Sequence, residues 1–364
     1  MNIGIDISQA AYEGTGVGNY TKGLINSILD YDTKNSWTFL FFSFRSKLSP
    51  TLIKKINSSK HRFISIPFPA SFLSFLWNTL HIVPVETFTG PLDLFISSDW
   101  TEPPAHCKKI TIVHDLVYLR YPETVHPTIL TTQRKRMSWV QKESTHIIAT
   151  SQATKNDIVS FLHIPEQKIT SIYTGISSLS PTQDVINDVK QKYNITQPFI
   201  LAVGKVEPRK NISRLIDAFK MMGKPAWSLI VAGPQGWDMT SKQKKDGAIC
   251  FTGLVTDKEL HALYELSDFF ILPSLWEGFG HPIIEAMQHK KAVITSNIPS
   301  LVEVSGGNAL LCDPQSVESI KNAMVQYIDD SNLRNNNAKK GYMYSQQFTW
   351  KRYYQELMNS INYI

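Results

Sequence analysis

The chain has 364 residues, 42% of them hydrophobic and 19% charged; this is an ordinary globular composition over a length that exceeds one hydrophobic core, so two domains are expected. Its 37 basic and 31 acidic residues leave a net charge of +6, compatible with phosphates or anionic lipid but too modest to choose a partner, and no basic face interleaved with aromatics marks a nucleic-acid binder. Cys107, Cys250 and Cys312 are far apart and form no C-x-x-C pair, which argues against a disulfide framework or a structural zinc site and fits a reducing compartment.

In chain order, MNIGIDIS lacks the basic stretch and apolar run of a signal peptide, and no segment approaches the roughly 18 to 20 apolar residues that span a bilayer. A cytoplasmic protein is expected, at most peripheral at the inner face of the cytoplasmic membrane. Ile3–Ile7 reads as the first strand, followed by Gly14, Gly16 and Gly18 and then a helical pattern from Tyr20 to Leu29. Glycines let backbone approach a ligand, and a helix start offers N–H groups to an anion. The dinucleotide fingerprint would need a third glycine where Thr21 stands, which disfavours a dehydrogenase. Asp30 and Asp32 spell the D-x-D of metal-dependent sugar transferases, but they fall at the end of a surface helix and read as structural.

Trp37–Phe42, Asp93–Ile96, Ile110–Val113 and His146–Ala149 continue as strands, with helices over Thr128–Gln141 and Gln152–Leu162, the latter capped by Ser151. This alternation predicts a parallel sheet flanked by helices, ending near Ile172. Within it, the apolar cluster Phe72, Leu73, Phe75, Leu76 and Trp77 reads as helical core packing in preference to membrane insertion, and Arg134, Lys135 and Arg136 as a solvated helix face in preference to a lipid-phosphate site. The polar stretch Leu179–Gln197 fits a domain boundary, giving domains of 1–180 and 181–347.

The second series has strands Phe199–Val203, Trp227–Ala232, Ile249–Thr252, Phe269–Leu272, Ala292–Thr295 and Ala309–Cys312, with a capping box of Thr256 and Glu259 opening one of its helices. After its first strand come Gly204, Lys205, Arg209, Lys210 and Asn211. Three cations between a strand end and a helix start make a seat for a diphosphate and stabilise its departure without a metal. After Phe269–Leu272 comes PSLWEGFGHPIIEAM, with Glu277 in a glycine turn and Glu285 in a helix opened by Pro282. Two carboxylates eight residues apart can meet different parts of one ligand, accepting from sugar or ribose hydroxyls, while N–H groups near Gly280 and His281 face phosphate. Residue types alone also allow a paired acid/base role, with hydroxyl binding preferred.

EGFGHPIIE resembles the E-x7-E signature of glycosyltransferase family 4. GKVEPRKN is similar to that family's basic strand-to-helix motif, GTGVGNYT to its N-terminal glycine loop, and the stretch around His114 and Asp115 to its histidine-aspartate segment. The order of these motifs over residues 14–285 matches the family, and the tail from Phe348 with Trp350 resembles its final helix.

The resemblance implies a GT-B fold: two α/β Rossmann-like domains facing each other across a cleft, with a C-terminal helix over 348–364 that crosses back to the N-terminal, acceptor-side domain. It implies retaining transfer of a hexose, mannose from GDP-mannose first or else a UDP-sugar, to a glycan or lipid-linked acceptor of surface polysaccharide synthesis, with no metal or cofactor. Carried over residue by residue, Lys205 and Lys210 hold the diphosphate, Glu285 the ribose, Glu277 the transferred sugar, and His114 lies beside that sugar. Gly16, Gly18, Arg209, Gly278, Phe279, Gly280 and His281 complete the donor site. Lys205 stands where arginine is common, His281 where an apolar residue is frequent, and Gln288 to Lys291 replace a small or glycine residue. An epimerase or phosphorylase on the same fold, or an inactive glycan-binding subunit, are the competing readings.

Overall fold

Strands buried on both faces of a sheet are apolar at nearly every position, and this pattern runs through both halves of the chain. A computed structural model describes residues 1–12, 14–97, 99–177, 179–236 and 247–364. In the first half, β1 (Asn2–Asp6), β2 (Ser36–Phe42), β3 (Arg62–Ile66), β4 (Leu94–Ser97), β5 (Lys108–Val113), β6 (His146–Ala149) and β7 (Ile169–Ser171) form a seven-stranded sheet in the order β3-β2-β1-β4-β5-β6-β7. In the second, β8 (Phe199–Val203), β9 (Ser228–Ala232), β10 (Ile249–Gly253), β11 (Phe269–Leu272), β12 (Ala292–Ser296) and β13 (Leu310–Cys312) form a six-stranded sheet in the order β10-β9-β8-β11-β12-β13. The strand pairs are parallel: Ile3 stands opposite both Trp37 and Leu94, and Phe269 opposite both Ile200 and Ala292.

Both orders are doubly wound. The chain works outward from β1 to one edge, then returns to β4 and works to the other; β8 and β11 repeat the move. Such a reversal opens a crevice beyond the carboxyl ends of the two central strands.

The chain divides into two units, Met1–Gly175 with Thr349–Ile364, and Ile176–Phe348. The sequence reading set these boundaries at 180/181 and 347/348. Its polar boundary segment contains a helix, Gln183–Lys192, which buries Val189 and pairs Lys192 with Glu259 at 2.5 Å, so this stretch is part of the second unit. The C-terminal helix Trp350–Tyr363 packs Tyr353, Leu357 and Ile361 into the core under β1, β2 and β4. Glycine makes room for it: a Cβ at Gly23 would lie 1.9 Å from the Trp350 ring, and one at Gly175 would lie 2.5 Å from the Trp350 nitrogen. Among the described residues no helix is long and apolar enough to cross a membrane.

Candidate active site

The second unit's crevice is built by the loops that follow β8 and β11. The chain leaves β8 through Gly204, where φ is +150° and the stem of Lys210 packs 3.2 Å from the place of a Cβ. A short turn, Pro208–Lys210, ends at Asn211, whose φ of +60° is a left-handed conformation that asparagine tolerates better than most residues. Buried Asn211 does not cap the helix Ile212–Met222 with its side chain. It donates instead to the carbonyls of Pro273 at 2.9 Å and Pro314 at 2.6 Å, tying the loop after β8 to those after β11 and β13. Leu275 N donates to the Arg209 carbonyl at 2.8 Å, closing the same seam.

That seam brings together residues far apart in sequence. Lys210 Nζ lies 2.6 Å from Glu277 Oε1, Arg209 Nη1 lies 2.7 Å from Glu277 Oε2, and Ser274 Oγ donates to Oε1 at 2.6 Å. Arg209 also donates to the Trp276 carbonyl at 2.9 Å and to Glu207 at 2.8 Å. Burial alone would raise the Glu277 carboxyl, but the two cations and the hydroxyl reverse this and hold it down at about 2. Glu277 is therefore ionised, with three of its roughly four acceptor positions already used. Lys205 is exposed on the same loop.

Glu285 has a different setting. Gly280, with φ +90°, precedes the helix His281–Gln288, and no side chain caps that N-terminus. The positive φ favours glycine here, and a Cβ on Gly280 would also press on Leu301 Cδ2 at 2.7 Å. Gly278 and Phe279 complete the turn, and the Phe279 ring lies 5.3 Å from that of His281. One turn into the helix, Glu285 Oε2 accepts from Tyr264 at 2.8 Å, and among the described residues no cation pairs with it. Part of its surface stays open, yet enclosure of the carboxyl pushes it up to about 7; Tyr264 offsets this only in part and Asp257 adds to it. Tyr264 stacks on His289 at 5.6 Å, and His289 shares a 2.7 Å hydrogen bond with buried His261. Burial pushes both imidazoles down, His261 to about 4.

In the first unit the glycine segment differs from its sequence reading. A short turn, Ser8–Ala11, follows β1, and the helix starts at Gly16, so Gly16 and Gly18 belong to its first turn. Thr15 Oγ1 caps the helix by accepting from Gly18 N at 3.1 Å, which commits the N–H that had been offered to an anion. A Cβ at Gly18 would lie 2.2 Å from the Tyr12 carbonyl, so this glycine is needed for close packing. From the same helix the Tyr20 ring meets the His114 ring edge-on at 4.6 Å and 82°, and the Tyr20 hydroxyl hydrogen-bonds that of Tyr353. The His114 carbonyl accepts from Thr150 at 2.8 Å, and burial pushes the imidazole down to about 4, leaving it neutral.

The site residues read from sequence thus fall into two groups. Gly16, Gly18 and His114 lie in the first unit, and Lys205 through Glu285 in the second. Asn211, Tyr264, Ser274 and Tyr20 were missed as site residues. Asn211 stood inside a quoted motif, while Tyr264 reads from its spacing as one more core position. Asp32 of the D-x-D pair is buried, accepting from Asn35 at 2.8 Å and from Trp37 Nε1 at 2.7 Å, and Asp30 pairs with Lys55 at 2.9 Å. Among the described residues, no group of three or more His, Cys, Asp and Glu is placed to hold a metal ion.

Two doubly wound units, one with cations and carboxylates at its strand-order reversal, have the architecture of the GT-B class. Comparison with known proteins gives the family. The profile described as "Glycosyl transferases group 1" matches residues 185–343, and "Glycosyltransferase Family 4" matches residues 49–178. The O-antigen chain mannosyltransferase B of Escherichia coli is 30% identical over 268 residues, covering 70% of each chain. A serotype-specific mannosyltransferase, WbdA of Escherichia coli, is 28% identical over 260 residues, 67% of this chain but 32% of its own, so the match spans about a third of that relative. The crystal structure of Anabaena HepE in complex with UDP and glucose shares the fold, with a TM-score of 0.74 at 18% identity over 100% of both chains. The chain belongs to glycosyltransferase family 4 and is a glycosyltransferase.

Proposed function

We propose that the protein transfers mannose, with retention of configuration and without a metal ion or cofactor, from GDP-mannose, with a UDP-sugar as the second donor. The acceptor is a glycan or lipid-linked saccharide of surface polysaccharide synthesis, reached at the inner face of the cytoplasmic membrane. The observation that carries the reading is the clamp of Arg209 and Lys210 on Glu277 at the crevice between β8 and β11. The mannosyltransferase relatives supply the sugar and the O-antigen lipopolysaccharide context.

In this reading Lys205, Arg209 and Lys210 face the diphosphate, aided by backbone N–H groups between Gly278 and His281 at the uncapped helix start. Glu285 accepts from the ribose hydroxyls, and the remaining acceptor position of Glu277 takes a hydroxyl of the transferred sugar. The bond from the anomeric carbon to the diphosphate oxygen breaks, and its electron pair leaves on the diphosphate. Fixed cations stabilise that developing charge. The acceptor oxygen bonds to the anomeric carbon on the face just vacated and gives up its proton to the departing diphosphate oxygen. His114, neutral at working pH, hydrogen-bonds the sugar without serving as a cation.

The test is turnover of a panel of nucleotide sugars in excess chelator, with the anomer of the product read by NMR. GDP-mannose is expected to be consumed and the α-configuration kept. Turnover abolished by chelator and restored by magnesium or manganese, or a β-product, overturns the reading.

A further inference from the structure

The first unit carries a groove at the outer edge of its sheet. It lies between the helix Pro50–Asn57 and the strands β2 and β3, with a volume of about 680 Å³, a size that holds a small organic ligand. Pro50, Ile53, Lys54 and Asn57 recur at i, i+3, i+4 and i+7, so one helix face forms a wall about 10 Å long. Strand alternation builds the floor: Phe41 and Ser43 from β2 and its exit stand beside Phe63 and Ser65 of β3 on one face of the sheet. The Phe41 and Phe63 rings are 6.5 Å apart and 27° from parallel, which makes that floor flat and apolar. The loop closing one end is firmly held. Ser43 N donates to the Ile66 carbonyl at 3.2 Å, Ser46 N to Ser43 Oγ at 2.8 Å, and Leu52 N to the capping Ser49 Oγ at 3.3 Å.

Charge in the groove has one sign. Arg45, Lys47 and Lys54 line it and are exposed, whereas no Asp or Glu lines it. Among the described residues none of these three cations pairs with an acid; Asp30 pairs instead with Lys55 at 2.9 Å. The remaining lining is rich in hydroxyls, from Ser43, Ser46, Ser58 and Ser65. Exposed Asn57 and Ser65 leave the groove open along the sheet edge. His114 follows β5, three strands from β2 in the sheet order, or about 14 Å at the usual strand spacing, so the groove is separate from the residue assigned to the transferred sugar.

We infer that this groove is a second glycan-binding site, which takes a short saccharide bearing carboxylate or phosphate groups. The face of a sugar ring rests on the aromatic floor, serine and asparagine side chains exchange hydrogen bonds with its hydroxyls, and the cations meet its anionic groups. An acyl chain fits the same groove poorly, because it would strip water from those hydroxyls without replacing the hydrogen bonds. The inference goes beyond the proposed donor and acceptor and does not rest on the donor site in the second unit.

Calorimetry of the whole chain with trigalacturonate tests it, with maltotriose as a neutral saccharide and citrate as an anion without sugar rings. One trigalacturonate should bind per chain, at least about tenfold more tightly than either control, because charged hydrogen bonds and ring contacts act together. Arg45→Ser with Lys54→Ser should weaken it by at least about tenfold. Ser65→Trp, which fills the trough and keeps every cation, should abolish binding. These positions are exposed, and circular dichroism checks that the variants are folded. The thermal shift given by nucleotide sugar should be unchanged in both, which separates failure here from failure of the donor assignment. Absence of wild-type binding overturns the inference, as does citrate bound as tightly as trigalacturonate, which would reduce the groove to a cationic patch. Equal affinity for maltotriose removes the anionic requirement, and full affinity in both variants puts the saccharide elsewhere; either result overturns it. So does flotation with phosphatidylglycerol vesicles that Ser65→Trp abolishes while trigalacturonate stays unbound, which would assign the groove to lipid.

Discussion

Glu277 and Glu285 lie eight residues apart on one loop-and-helix segment, and the fold treats them in opposite ways. Glu277 meets two cations and a hydroxyl and stays ionised down to about 2. Glu285 meets one tyrosine hydroxyl and is pushed up to about 7. Their separation in pKa comes from neighbours: the loop after β8 reaches the first carboxylate, and the helix before β11 reaches the second. Two identical side chains in one motif thus acquire different duties, one a fixed charge that orders Arg209 and Lys210, the other an acceptor whose charge is easily lost.

The largest expected effect comes from breaking the Glu277 side. Lys210→Ala removes one of its two cations and a third of the proposed diphosphate seat, and turnover should fall by about two orders of magnitude or more, the scale for losing a preorganised charge-stabilising group. Steady-state rates on a folded variant measure it. Near-normal turnover would place Lys210 outside the donor site and reduce its contact with Glu277 to an internal ion pair.

Next in size is the contrast between Glu285→Gln and Glu277→Gln, both near-isosteric. Glu285→Gln should weaken free nucleoside diphosphate and intact donor alike, by about tenfold, because charged hydrogen bonds are worth about 1.5 to 3 kcal/mol. Glu277→Gln should leave free nucleoside diphosphate bound nearly as well, since Arg209 and Lys210 remain, while binding or turnover of the sugar-bearing donor falls. Calorimetry separates the two, and the reverse pattern exchanges the roles.

How much of this was legible from sequence depends on the kind of information required. β11 and β12 were readable because they are buried on both faces and apolar throughout, whereas the edge strands β3 and β7 were missed: β3 has charge and polarity mixed in, and β7 is only three residues long. The capping box at Thr256 and Glu259 was visible because capping is local chemistry at fixed spacing. The clamp of Lys210 on Glu277 was not, since the pair is 67 residues apart and meets only because β8 neighbours β11 in the sheet. The helix start at Gly16 was placed late because glycines discount helical propensity, while the cap on Thr15 decides the matter.

Acidity should sharpen the same contrast. Glu285 has a folded pKa above its usual 4.5, so the stability it contributes is fully present below pH 4.5 and is lost as pH rises through about 7. Glu277 has the opposite sign: its contribution is present above pH 4.5 and is lost as pH falls toward about 2. Glu285→Gln should therefore raise the melting temperature at pH 8 by roughly 2 °C or more and change little at pH 4.5, at a sensitivity of about 2 to 4 °C per kcal/mol. Glu277→Gln should lower it at pH 8, with the deficit shrinking toward pH 3. Melting curves at three pH values decide, and equal pH profiles for the two variants would erase the distinction.

The smallest expected effect isolates Tyr264. Tyr264→Phe keeps the ring that stacks on His289 and removes the one hydroxyl that donates to Glu285. Without that donor the Glu285 carboxyl should titrate above about 7, with Asp257 still pushing it upward. Burial pushes His261 down to about 4 and lowers His289 from its usual 6.5. If ionised Glu285 is what binds ribose, affinity for free nucleoside diphosphate falls as pH drops through the carboxyl's pKa. The variant should then bind nearly as well as wild type at pH 9 and about threefold more weakly at pH 7, a few tenths of a kcal/mol less than a typical hydrogen bond of about 1 kcal/mol. Calorimetric titration of the nucleotide from pH 6 to pH 9 reads this as a displaced midpoint. A uniform loss of affinity at every pH would assign Tyr264 to packing alone, and an unchanged profile would show that the charge of Glu285 does not govern nucleotide binding.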